Sequence, residues 1–263
     1  MNQTHENPLF AHQELPRFAE ITPTHAKEAI PVLLERAAEA FKDFEATVEP
    51  TWNGIFERLR LLTEPLGFAW HATSHLMGVC NSDELREVYE SLQPQVVQFF
   101  TLLGQSSATY SALETLMASD LWDTLSPAQK RLVEKERLGM KLSGIGLEGD
   151  AKERFNAIQM ELAELATGFS NSVLDSRKAY EKILTDSADV EGFPETLRQM
   201  AAASAKAHGH DDATPEAGPW RITLDAPVAG PFLMHCRNRA LREEVYRAMV
   251  SVASTGELDN GPR

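Results

Sequence analysis

Ile55–Leu76 reads IFERLRLLTEPLGFAWHATSHL, and its apolar spacing decides the fold class. Ile55, Leu59, Leu62, Leu66, Ala69, Thr73 and Leu76 recur three and four residues apart, which puts them on one face of an amphipathic α-helix. His71 and His75 share a face as well. At 100° per residue that face lies about 160–200° from the apolar stripe, beside Glu57 and Glu64.

Two histidines at this spacing also frame the H-E-x-x-H motif, in which both imidazoles bind zinc and the glutamate is the general base. The motif requires glutamate next to the first histidine, and this chain has Ala72 there. Glu64 lies one and a half to two turns back, roughly 10 Å along the axis at a rise of ~1.5 Å per residue, too far to close the same coordination sphere. No other cue names a third ligand. His71 and His75 therefore read as polar-face histidines, and a metalloenzyme built on them would have to retain stoichiometric zinc.

Working outward, the chain has 263 residues, enough for one large domain or two modest ones. Its formal charge of -14, from 39 acids against 25 bases, would be repelled by a phosphate backbone or an anionic lipid surface. Nucleic-acid and membrane partners are thereby disfavoured. Cys80 and Cys236 lie far apart without a C-x-x-C partner and read as reduced thiols. MNQTHENPLFAHQELPRF has neither the basic region nor the apolar core of a signal peptide, and no window reaches the ~18 apolar residues of a spanning helix. The expected compartment is the cytoplasm.

Residues 1–21 are punctuated by proline, lack periodicity and read as an extended arm. Thr22 and Pro23 then supply an N-cap and a first-turn proline for a helix to about Val48, which Pro31 should kink or interrupt. Asn81 or Ser82 caps a helix running to about Leu103. Ser126, Pro127 and Gln129 form a capping box. From Asp150 a long helix carries Phe155, Ile158, Leu162, Leu165, Phe169 and Val173 at near-heptad spacing, a stripe that needs a partner helix. VEGFPET turns into an Ala-rich helix ending near Ala207.

HGHDDATPEAGP, residues 208–219, reads as a loop. WRITLDA follows as the one clear strand, with Trp220, Ile222 and Leu224 alternating against Arg221, Thr223 and Asp225. A helix from about Arg239 is expected to bury Leu241, Val245, Met249 and Val252. LDNGPR resembles a helix start, with Asp259 or Asn260 as cap and Pro262 in the first turn, so the chain reads as cut at 263. The expected fold is mainly α: a multi-helix lobe at 22–207, the 208–219 loop, then a strand and helices over 220–263.

Other motifs yield to plainer readings. GIGLEG, Gly144–Gly149, matches the G-x-G-x-x-G dinucleotide fingerprint, but a charged helical pattern precedes it where the fingerprint needs a strand. It reads as a helix-to-helix connection. HGHDD, His208–Asp212, has the composition of a weak metal site or a solvated connector. His235 and Cys236 read as buried packing, and Glu243 and Glu244 as ordinary helical-face acids. No G-x-S-x-G elbow or P-loop is present.

Five stretches resemble a known family: NPLF, LPRFAEITPTHAKEAIP, SHLMGVCNSDELREVYESLQPQV, LSGIGLEGDAKERFNAIQMELAELATGFSNSVLD and LDAPVAGPFLMHCRNRALREEVYRA. They look like the N-terminal part of the oligopeptidase A family, relatives of thimet oligopeptidase and neurolysin. The resemblance runs in order from about Asn7 to Asn260. It implies the N-terminal lobe of a two-lobed helical body around a narrow channel, and zinc endopeptidase activity on short peptides. It places H-E-x-x-H, whose metal generates hydroxide near neutral pH, in the family's C-terminal half.

No residue of this chain matches a family zinc ligand. The resemblance thus implies no catalytic, cofactor-binding or metal residue here, zinc only in the full-length enzyme, and the C-terminal catalytic part as partner. The alternative is a free-standing helical peptide-binding or scaffold protein without peptidase activity.

Overall fold

Helix α1, Pro23–Thr47, starts where its capping residues dictate. The Thr22 hydroxyl accepts from the His25 amide at 3.3 Å, and His25 Nδ1 accepts from the Thr22 amide at 3.3 Å. Pro23 occupies the first turn, where its missing N–H costs nothing. The computed structural model describes residues 7–13 and 15–261. Parts of the arm (1–6 and 14) and the first-turn Pro262 lie outside the described residues.

The chain divides into two compact units, 1–164 and 165–263, with the boundary inside one helix. In the first unit, α1 passes through Pro31 without ending, so of the kink or interruption expected from the sequence the interruption does not occur. Ala29, Ile30, Leu33 and Leu34 flank the proline and are all buried, so packing on both sides holds the helix across the lost hydrogen bond.

Helix α2, Arg58–Val79, begins after a π-helical turn at Asn53–Glu57, and α3 spans Asp83–Gly104. Ser82, rather than Asn81, caps α3 by accepting from the Leu85 amide at 3.2 Å. Helices α1, α2 and α3 pack together. Ile30, Leu33 and Phe44 meet Leu66, Ala69 and Leu76 and, from α3, Leu92, Val96 and Phe99 in one core. The stripe of α2 faces this core as its spacing requires.

The arm is tied to the same core. Pro8–Phe10 and Phe18–Glu20 each form a 3-10 turn, Asn7 donates to the His25 carbonyl at 3.0 Å, and Leu9 is fully buried. A smaller cluster joins Ile55 to Leu113 and Leu116 of α4 (Ser107–Ala118) and, beyond the single turn α5 (Leu121–Thr124), to Val133 and Met140 of α6 (Pro127–Leu142). Ser126 and Gln129 close the expected capping box at the start of α6, with bonds of 3.3 and 2.9 Å.

Helix α7, Gly149–Ala179, carries the near-heptad stripe, yet of its residues only Ser172 is buried. In the second unit, strand β1 (Lys182–Leu184) pairs antiparallel with β2 (Trp220–Ile222), placing Leu184 opposite Trp220 and Lys182 opposite Ile222. The sequence reading has only the second strand. β1 is three residues long, too short to display alternation.

Helices α8 (Glu195–Ala207), α9 (Ala226–His235) and α10 (Arg239–Val250) complete this unit. Trp220, Ile222, Leu184, Leu197, Phe232 and Val245 form its core. On α10 the burial expected for Met249 does not occur: Val245 is buried, while Met249 is exposed. The architecture is mainly α, with a two-stranded sheet.

Candidate functional site

His71 and His75 both lie exposed on α2, opposite the buried stripe. His75 is engaged by the arm, its ring 5.0 Å from that of Phe18 and tilted by 51°. Among the described residues no three His, Cys, Asp or Glu side chains come together to hold a metal ion. The described residues therefore do not fit the donor set of tetrahedral zinc, three or four such ligands.

GIGLEG joins α6 to α7, with a helix where the dinucleotide fingerprint needs a strand. Gly144 has φ +83°, and a Cβ there would stand 3.0 Å from Leu147 and 3.3 Å from Phe155, so this glycine serves a tight turn.

His208 and His210 lie just past α8. The His208 ring is 2.8 Å from the Ser204 carbonyl, and the His210 amide donates to Ala205. Both imidazoles favour ionisation of Glu181, whose carboxyl is held below its ordinary value chiefly by a hydrogen bond from Arg221. That bond is 2.8 Å long, and Arg221 also donates to the Ser204 hydroxyl at 3.1 Å.

Other acids in this unit are engaged in the same way. Glu244 accepts from Lys182 at 3.0 Å, and Glu243 pairs with Arg247 one turn along α10 at 2.8 Å. A carboxylate bound to a guanidinium or ammonium is a weak general base, because the cation stabilises its ionised form. Glu181 ties the segment before β1 to β2 and Glu244 ties α10 to β1, while Glu243 braces α10 itself.

The pair His235 and Cys236 separates: Cys236 is buried, whereas His235 is exposed. Burial pushes the Cys236 thiol up, so it is the less reactive protonated form that dominates near neutral pH. Cys80 is exposed.

The feature of the second unit that packing leaves unexplained is apolar. Tyr246, Met249 and Val250 share one face of α10 at helical spacing, with Tyr246 56% and Val250 62% exposed. Met234 at the end of α9 is 78% exposed. Large side chains left in water on adjacent helices mark a surface suited to cover by further protein. Sequence periodicity assigns Met249 to the core, because spacing alone cannot tell a buried apolar face from an exposed one. No described helix is long and apolar enough to cross a membrane.

Comparison with known proteins places the chain in a family. Residues 30–152 match the family model of the neurolysin/thimet oligopeptidase N-terminal domain. The chain is 42% identical over 254 residues to a probable cytosolic oligopeptidase A of Arabidopsis thaliana and 41% identical over 254 residues to an organellar oligopeptidase A of the same plant. It is 37% identical over 257 residues to oligopeptidase A of Escherichia coli. Each match covers 97% of this chain but only 36%, 32% and 36% of the respective relative, so the chain spans about a third of their length. On these matches the chain belongs to the oligopeptidase A-type peptidases and carries their N-terminal domain.

Proposed function

We propose that this chain is the non-catalytic helical part of an oligopeptidase A-like zinc metalloendopeptidase acting on short peptides in the cytoplasm, and that it forms one wall of the substrate channel. The observation that carries this reading is the match along 97% of the chain to about a third of each relative. The uncovered apolar face of α10, with Tyr246, Met249 and Val250, agrees with it, since a separate catalytic part would need such a surface to pack against. The lining of a peptide channel and the placing of a substrate for zinc-bound hydroxide are roles this part can fill through shape, without supplying a ligand. Zinc and the acid–base glutamate then belong to the C-terminal part.

The test is a chimera in which this chain replaces the matching segment of Escherichia coli oligopeptidase A. Cleavage of a quenched fluorescent short peptide that is abolished by a chelator is the expected result. A chimera that is folded by circular dichroism and loaded with zinc, yet cleaves nothing, would overturn the reading.

A further inference from the structure

A cavity of about 800 Å³ lies between the arm, α1 and the first half of α2. That size suits a small organic molecule, for which pockets of ~300–1,000 Å³ are usual. Leu33 and Leu62 give it an apolar lining. Its ionisable lining residues are His12, Arg17 and Arg36, all basic, in a chain with 39 acids and 25 bases. The sign of the ionisable lining is thus opposite to the net charge of the chain.

The two arginines differ. Arg17 is engaged by Glu20 at 2.8 Å. Arg36 has its guanidinium carbon 5.7 Å from the centroid of the Phe10 ring, and among the described residues it has no carboxylate or carbonyl partner. An aromatic ring beside a guanidinium restrains it at little cost to its hydrogen-bonding edge, which matches a carboxylate with two parallel N–H···O bonds.

We propose that this cavity binds an organic carboxylate carrying an apolar group, with the carboxylate on Arg36 and the apolar group against Leu33 and Leu62. Two sources share this chemistry, a free small organic acid and the C-terminus of a short peptide. The site is independent of the peptidase reading, since it uses neither zinc nor the α10 face.

The test is calorimetric titration of the full chain with N-acetyl-leucine, with a leucine-ending hexapeptide, and with the C-terminal amide of each. The acids are expected to bind and the amides to bind at least about tenfold more weakly, about 1.4 kcal/mol. Arg36→Gln should weaken acid binding by a similar factor, and Arg36→Lys by less, since a lysine keeps the charge but loses the fork. Arg36 is exposed on α1, so circular dichroism should show both variants folded. Binding of N-acetyl-leucine with exclusion of the hexapeptide assigns the site to free acids, and tighter binding of the hexapeptide assigns it to peptide C-termini. Equal affinity for acid and amide, unchanged affinity in Arg36→Gln, or no binding of either acid at millimolar concentration would overturn the proposal.

Discussion

The indole nitrogen of Trp220 donates to the Pro215 carbonyl across 3.1 Å, while the ring itself is fully buried. The loop before β2 is thereby folded back over the first residue of the strand. Gly218 makes the fold-back possible: its φ is +72°, and a Cβ there would stand 2.7 Å from the Trp220 ring. Gly218→Ala therefore combines a left-handed backbone with overpacking against a buried indole. A loss of roughly 2–4 kcal/mol is expected from urea unfolding at constant m-value.

Leu9 connects the arm to the first core, with no exposed surface. Leu9→Ala should cost about 2–5 kcal/mol if the arm is an integral part of that unit. Limited proteolysis should cut this variant within the arm faster than the parent. A change below about 0.5 kcal/mol, the scale of an ordinary surface substitution, would show that the arm contributes little.

Ser126→Ala removes the hydroxyl that accepts from the Gln129 amide at the start of α6. The expected loss is ~1 kcal/mol, within the usual range for helix caps. Gln129→Ala should cost less, since it removes only the reciprocal bond to the Ser126 amide.

The pair Glu181–Arg221 gives a pH prediction with a definite sign. Arg221 holds the Glu181 carboxyl below its ordinary value of 4.5, so the folded state favours the ionised acid more than the unfolded chain does. The contribution is fully present above 4.5 and is lost as pH falls through the lowered folded value. Glu181→Gln should be less stable than the parent at pH 7, and the two denaturation midpoints should converge in acid. A gap that persists unchanged at pH 2 would assign the effect to packing instead.

Local signals were legible in the sequence because they act within one turn. Thr22 and Ser126 announced their helices through bonds to residues three positions on, and the α2 stripe told correctly which side faces the core. What stayed illegible depends on contacts between elements. The helix survives Pro31 because buried neighbours hold it. The strand at Lys182–Leu184 is defined by its partner at Trp220–Ile222, 36 to 40 residues away along the paired register. Likewise Arg36 over Phe10 and Arg221 on Glu181 join residues that no motif links. Periodicity also misjudged Met249, since an apolar helix face looks the same in sequence whether its partner lies in this chain or elsewhere.

The most direct test of a non-catalytic role is hydrolysis of a quenched fluorescent short peptide by purified 1–263 with added zinc, followed by metal analysis after desalting. Expected are no turnover above buffer, zinc well below one equivalent, and no difference between the parent and the double variant His71→Ala/His75→Ala. Chelator-sensitive turnover with stoichiometric zinc, both lost in the double variant, would contradict that role and place the chemistry on α2.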